Sequence, residues 1–284
     1  MKPSVSIYSF GGYTKPEMLG VLGCMDKAKE LGFDGFEILD RYFDGYGVTY
    51  MDVVRHSEKI GLPLIAYITG AEFLKSDGQG SEEQVEALKK HIDRAAEMGI
   101  HLLRHDVTHG LSNGMRYGIS FDKVLPAISG CCREVTEYAE KKGVVTCFEN
   151  HGFFTQGSER CEKLLEAVAH PNFGMLIDIG NFVCADEDPG QAVGRLAKYA
   201  VHVHVKDFHL KPGNLEHPGD GWNRSRGGNY YRGAIIGQGD VYPRRAIDIL
   251  KRNGYDGYVS MEFEGLEDNL RGIEYGLNNL KKYL

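Results

Sequence analysis

A chain of 284 residues, 42% hydrophobic and 26% charged, has the makeup of a soluble globular protein and is long enough to bury a large core. Lys+Arg total 33 and Asp+Glu 40, a net charge of -7, which argues against nucleic acid as the main partner because phosphate neutralisation drives that binding. No apolar run approaches the ~20 residues that span a bilayer, and the six cysteines, none in C-x-x-C spacing, read as reduced core residues of a cytoplasmic protein.

The N-terminus, Met1-Lys2-Pro3-Ser4-Val5-Ser6, passes straight into a strand-like alternation without the apolar stretch of a signal peptide. One unit then recurs: an amphipathic stretch, a glycine, a short apolar run. The glycines are Gly32, Gly61, Gly99, Gly143 and Gly254. Each stands where a helix ends in a left-handed residue, and strand-like residues follow. Thr14-Lys15-Pro16-Glu17 and Ser81-Glu82-Glu83-Gln84 read as capping boxes, and Pro243 suits a first helical position. The patterning predicts strands near 4–9, 33–39, 62–68, 100–107, 144–150, 173–179, 201–207 and 257–263. It predicts helices near 15–31, 49–60, 82–98, 121–142, 158–169, 187–199, 243–253 and 267–283.

Strict alternation of eight such units argues for a parallel sheet closed into a (β/α)8 TIM barrel, a single α/β domain over 1–284. A doubly wound open sheet is the competing arrangement, and the lack of G-x-G-x-x-G after the first strand weakens it. The longest irregular segment, 208–242, follows the seventh strand, on the side where barrel active sites form. Asp240, near its end, reads as a helix cap.

Four successive strands end in a group that binds metals. The fifth ends Thr146-Cys147-Phe148-Glu149-Asn150-His151 and the sixth Met175-Leu176-Ile177-Asp178-Ile179-Gly180-Asn181. The seventh reads Val201-His202-Val203-His204-Val205-Lys206-Asp207 and the eighth Val259-Ser260-Met261-Glu262-Phe263-Glu264. Carboxylates converging on a barrel mouth repel, and a divalent cation removes that cost. The strand period of two puts His202, His204 and Lys206 on one face and Glu262 with Glu264 on another. Periodicity does not choose the ligand within either pair. The plainer role for His202 is a hydrogen-bonded barrel-core histidine, and for Glu264 a rim position. Lys206 is a candidate substrate contact or a salt bridge to a mouth carboxylate. His105 and His109, after the fourth strand, and Trp222, in the long segment, are further candidate contacts. Arg224, Arg226 and Arg232 of that segment can hold a phosphate or form a solvated basic lid or oligomer contact.

Phe148-Glu149-Asn150-His151-Gly152, Leu176-Ile177-Asp178, His202-Val203-His204-Val205-Lys206-Asp207, Gly237-Gln238-Gly239-Asp240-Val241 and Gly254-Tyr255-Asp256-Gly257-Tyr258-Val259-Ser260-Met261-Glu262 occur in fixed order. Over nearly the whole chain this resembles the sugar phosphate isomerase/epimerase family of xylose isomerase-like barrels. The resemblance implies metal ligands Glu149, Asp178, His204 and Glu262, with Glu149 and Glu262 as the bases. Three carboxylates and one imidazole are a mostly hard set that favours Mn2+, with Mg2+, Co2+ or Zn2+ as other choices. The chain departs from ketose 3-epimerase-like members at three positions. Asn181 stands in place of a histidine, Thr155 in place of a glutamate and Leu210 in place of an arginine. Asn181 is thus a candidate substrate contact of a different kind.

The function implied is isomerisation or epimerisation of a sugar, keto-polyol or sugar phosphate through a metal-stabilised enediolate. The rival is a lyase, a dehydratase or deglycosidase-type elimination that shares the enolisation. An endonuclease IV-like nuclease is disfavoured by Asn181 and the charge of -7, and a non-catalytic sugar-binding barrel by the intact Glu, Asp, His, Glu set. The expected partner is a small carbohydrate, neither membrane nor nucleic acid, and a homo-oligomer is compatible with the sequence.

Overall fold

A computed structural model describes residues 1–43, 45–110 and 120–284. The strands are β1 (Lys2–Ser6), β2 (Gly35–Leu39), β3 (Leu64–Thr69), β4 (Leu102–His105), β5 (Val145–Glu149), β6 (Phe173–Asp178), β7 (Ala200–Val205), β8 (Asp207–Lys211), β9 (Asn223–Arg224), β10 (Tyr230–Ala234) and β11 (Tyr258–Met261). The helices are α1 (Gly20–Leu31), α2 (Tyr50–Ile60), α3 (Glu82–Glu97), α4 (Phe121–Glu140), α5 (Ser158–Val168), α6 (Asn181–Cys184), α7 (Pro189–Leu196), α8 (Pro243–Arg252) and α9 (Asn269–Leu280). Strands β1 to β7 and β11 are all parallel and close as β1-β11-β7-β6-β5-β4-β3-β2. This is the expected (β/α)8 barrel, and the open sheet is set aside because β1 pairs with both β2 and β11. No helix among the described residues is long and apolar enough to cross a membrane.

Gly32 and Gly61 end α1 and α2 in the left-handed region, at φ 87° and 63°, where a Cβ would clash. Ser81 caps α3, its Oγ accepting the Gln84 N–H at 3.4 Å, but the expected box is half made: the Gln84 Oε1 accepts the Glu72 N–H at 3.3 Å instead. Thr14 does not cap a helix. Ile7–Thr14 forms a 3-10 stretch, the Thr14 hydroxyl bonds back to the Gly11 carbonyl at 2.8 Å, and α1 starts only at Gly20. The six cysteines are free and buried.

The segment 208–242 is more ordered than its composition predicts. Its strands form an antiparallel sheet, β8-β10-β9, beside the barrel mouth. One buried carboxylate ties this sheet to the barrel. Asp207 accepts backbone N–H groups from Phe208, Gly237, Gly239 and Val241 at 2.8–3.1 Å. A side chain at Gly239 would run into Asp207, which gives the Gly237-Gln238-Gly239-Asp240-Val241 motif its physical reason. Asp240 itself caps nothing. It accepts the Leu210 N–H at 2.8 Å, and α8 starts with Pro243 at its first turn.

Replacing Asp207 by alanine strands N–H donors that the fold has turned away from water, at about 1–3 kcal/mol each where they stay buried. Asp207→Ala is expected to lower the unfolding free energy by about 3 kcal/mol in urea titration. A loss below about 1 kcal/mol would mean that these donors are satisfied by solvent once the carboxylate is gone.

Candidate metal centre

Glu149 is the last residue of β5 and Asp178 the last of β6; His204 sits near the end of β7, and Glu262 follows β11 directly. All four are buried, and each offers one ligand atom, with these atoms within 4.8 Å of one another. Two polar atoms of these residues are orphans: His204 Nδ1 and Asp178 Oδ2 are buried without a hydrogen-bond partner among the described residues. Buried polar atoms in folded proteins are nearly always satisfied. Two orphans within one Glu, Asp, His, Glu cluster are what a divalent cation would satisfy, and the donor set fits one.

The orientation of His204 is fixed from another strand across the barrel interior. Glu37, at 0% exposure on β2, accepts from His204 Nε2 at 2.9 Å through Oε2 and pairs with His202 Nε2 through Oε1. In the closed order β2 and β7 are separated by β1 and β11, so these bonds cross the barrel interior. With Nε2 engaged, Nδ1 of His204 turns to Glu262 and Glu149, at 3.5 and 3.9 Å. A carboxylate behind a ligating histidine sets its orientation and raises its basicity. Burial by itself would raise the Glu37 pKa; the charges of His204 and His202 and their hydrogen bonds outweigh it and hold it at about 2.

Two cations offset the remaining carboxylates. Lys206 Nζ lies 2.9 Å from Glu262 and 3.2 Å from Asp178, the latter without hydrogen-bond alignment. Burial opposes the charge on Lys206, but Asp178 and Glu262 carry its pKa well above the ordinary value. Arg104 Nη2 sits 2.5 Å from Glu149 and 2.9 Å from Asp106, and Nη1 donates to the Thr69 carbonyl. Burial, then the neighbouring Glu149 and Glu262, push the Asp178 pKa up against the pull of Lys206. Asn181 Nδ2 donates to Glu149 at 2.9 Å, and its backbone N–H donates to Asp178 Oδ1. Asn150 clamps the end of β6 with two bonds to the Asp178 backbone.

Over this cluster opens a cavity of about 570 Å³, walled by Tyr8, Arg41, Arg104, His151, Lys206 and Glu264, among others. Its wall carries several charged side chains, which suits a small polar ligand.

A family model described as the xylose isomerase-like TIM barrel matches residues 25–283. The chain belongs to that family. The rhizopine catabolism protein MocC of Rhizobium meliloti is 25% identical over 265 residues, 85% of this chain and 74% of that protein. An inosose dehydratase of Clostridium perfringens is 22% identical over 269 residues, 92% of this chain and 88% of its own. A solved IOLI protein with a bound zinc atom has the same fold, with a TM-score of 0.77 at 17% identity, over 100% of this chain and 96% of that one. Solved sugar epimerases share the xylose isomerase-like barrel as well.

Of the candidate substrate contacts, Lys206 and Asn181 line the cavity of this family member. His105 does not. It is fully buried, bonds the Asp106 carbonyl at 2.7 Å, and packs between Phe73 and Phe173. His109 also stands off the cavity, 3.4 Å from Glu72. Trp222 is outside the cavity wall too, although Gly221 and Asn223 on either side belong to it. Its ring is held between Lys211 and Arg232. Arg226 reaches the Phe153 carbonyl, Arg224 packs on Tyr230, and none of the three arginines of the segment faces the cavity. His202 has the core role and Glu264 the rim position, where it accepts from the Tyr8 hydroxyl at 3.1 Å. Sequence reasoning missed Glu37, Arg104 and Asp106. A charged residue within each of the apolar runs 33–39 and 100–107 was the available signal.

The sign of the Glu37 shift fixes an acid dependence. Its folded pKa of about 2 lies below the ordinary 4.5, so its contribution is present above pH 4.5 and is lost as the pH falls toward 2. Glu37→Gln is expected to cost roughly 3 kcal/mol at pH 7 and to flatten the decline of stability between pH 4.5 and 2 in urea titrations. Equal slopes for the two chains would mean that Glu37 is not ionised in the fold.

Proposed function

We propose that this chain is a divalent-metal-dependent isomerase or epimerase of a ketose, keto-polyol or sugar phosphate, working by proton transfer next to a carbonyl. The observation that carries the reading is the pairing of Glu149 and Glu262 around His204 Nδ1, each with its own cation. A divalent ion held by Glu149, Asp178, His204 and Glu262 would act as a Lewis acid on the substrate carbonyl and its neighbouring hydroxyl, and the hard donor set favours Mn2+. The zinc in the solved IOLI protein supports a divalent ion of some kind.

The protein's own groups would handle the protons. One glutamate takes the proton from the carbon next to the carbonyl, and the other returns a proton at the opposite face or at the neighbouring carbon. Arg104 and Asn181 hold Glu149 in place while its protonation changes, and Lys206 does the same for Glu262. The buried free thiols fit a reducing cytoplasm.

Elimination of water is the second reading. It is favoured by the inosose dehydratase that aligns with 92% of this chain and by the Lys206 ammonium on the cavity wall, which can protonate a departing hydroxyl. Product mass separates the two: equal to substrate for isomerisation, lighter by one water for elimination.

Glu149→Gln and Glu262→Gln are each expected to cut turnover by about 10²–10⁴-fold with thermal melting preserved, assayed against a panel of ketoses and inososes by solvent deuterium incorporation. Wild-type kcat in either variant removes that glutamate from the proton path. Chelation is expected to abolish deuterium incorporation and added Mn2+ to restore it; full activity of a chelated, metal-free sample would overturn the metal dependence.

A further inference from the structure

A second group of potential ligands lies at the rim of the mouth. Asp106 and His109 follow β4, and His151 follows β5, the neighbouring strand. Each offers one ligand atom, and the three atoms lie within 4.8 Å of one another. Three features make this more than a chance cluster. Arg104 Nη2 and His151 Nδ1 both bond Asp106 Oδ1, at 2.9 Å each, so among the described residues Oδ2 accepts no hydrogen bond. His151 has Nδ1 on Asp106 and His109 has Nδ1 3.4 Å from Glu72, leaving each ring a nitrogen without a partner among the described residues. The rings are held edge to face, 5.8 Å apart, because the backbone at Gly152 leaves room for His109; a Cβ there would lie 3.3 Å from its ring.

We propose that Asp106, His109 and His151 form a second cation site, separate from the Glu149, Asp178, His204, Glu262 centre. Arg104 stands between the two, bonded to Asp106 on one side and Glu149 on the other. Two imidazoles and one carboxylate select a borderline ion such as Zn2+, Co2+ or Ni2+ over Mg2+ or Ca2+. His109 and His151 are 58% and 42% exposed, so the ion enters from solvent without opening the barrel. Three protein ligands leave coordination positions free. An ion bound there ties the loop after β4 to the loop after β5, where His151 forms part of the cavity wall.

The test is a calorimetric titration of the chelator-stripped full chain with Zn2+ alone. Wild type is expected to take up two ions, and His109→Ala and Asp178→Asn one each, the first losing the rim ion and the second the central one. The double variant is expected to take up none at micromolar Zn2+. His109 is half-exposed and outside the cavity wall, so its removal leaves the fold in place, checked by thermal melting. A His109→Ala titration identical to wild type overturns the rim site. A single wild-type ion that is lost in Asp178→Asn and kept in His109→Ala also overturns it, while leaving the central reading intact. An ion lost in His109→Ala with no change in Asp178→Asn supports the rim site and counts against the central one.

Discussion

Three carboxylates meet in the mouth of a closed barrel, and the site is built around the repulsion among them. Like charges about 4 Å apart cost about 4 kcal/mol at an effective dielectric near 20. A folded domain is stable by only about 5–15 kcal/mol, so such a cluster cannot be left uncompensated. Lys206 lies between Asp178 and Glu262, Arg104 binds Glu149, and Asn181 adds a neutral donor. These compensations are incomplete in a specific way. Asp178 Oδ2 and His204 Nδ1 stay without hydrogen bonds, and both belong to the four-residue cluster.

The barrel supplies this arrangement because every parallel strand ends at the same face. Glu149, Asp178, His204 and Glu262 come from strands that are consecutive in the ring, β5-β6-β7-β11, so their side chains converge without any loop having to reach. Glu37 comes from β2, three strands round the ring, and pins two histidines of β7 at once. The barrel interior is therefore part of the site rather than inert filling. The sheet β8-β10-β9 is added to the same face, and its junction with the barrel is the buried Asp207 carboxylate with its four backbone donors. Lys206 alone separates Asp207, the first residue of β8, from the end of β7, which carries His204, so one stretch of chain supplies a candidate ligand, a neutralising cation and the anchor of the neighbouring sheet.

Family membership fixes the scaffold and leaves the reaction to local chemistry. A curated relative named as a dehydratase aligns with 92% of this chain, and solved neighbours named as epimerases share its fold. Both reaction types begin by removing a proton next to a carbonyl, so the carboxylate cluster of this chain is compatible with either. They part at the next step, where the placement of a proton donor toward a leaving group decides.

The sequence by itself determined the eight barrel strands, their main helices and the order of both, because these follow from local signals, and it did not show the β8-β10-β9 sheet. The glycines after the helices, the apolar runs and the alternation of His202, Val203, His204, Val205 and Lys206 place eight strands and eight main helices close to where they lie. It also brought Glu149, Asp178 and the pairs His202/His204 and Glu262/Glu264 to one mouth, since parallel strands of one barrel share it, and the family resemblance chose His204 and Glu262 within those pairs. What it could not determine was which partners a side chain meets across the ring. Glu37 pairs with His204 over 167 residues of separation, and Arg104 joins Asp106 to Glu149. His105 turned into the packing between Phe73 and Phe173, and Trp222 settled between two cations. Strand periodicity gives the face a residue occupies. Only closure of the barrel gives the residue opposite, and His204 rather than His202 faces the cluster because the register of β6 on β7 sets His204 beside Asp178.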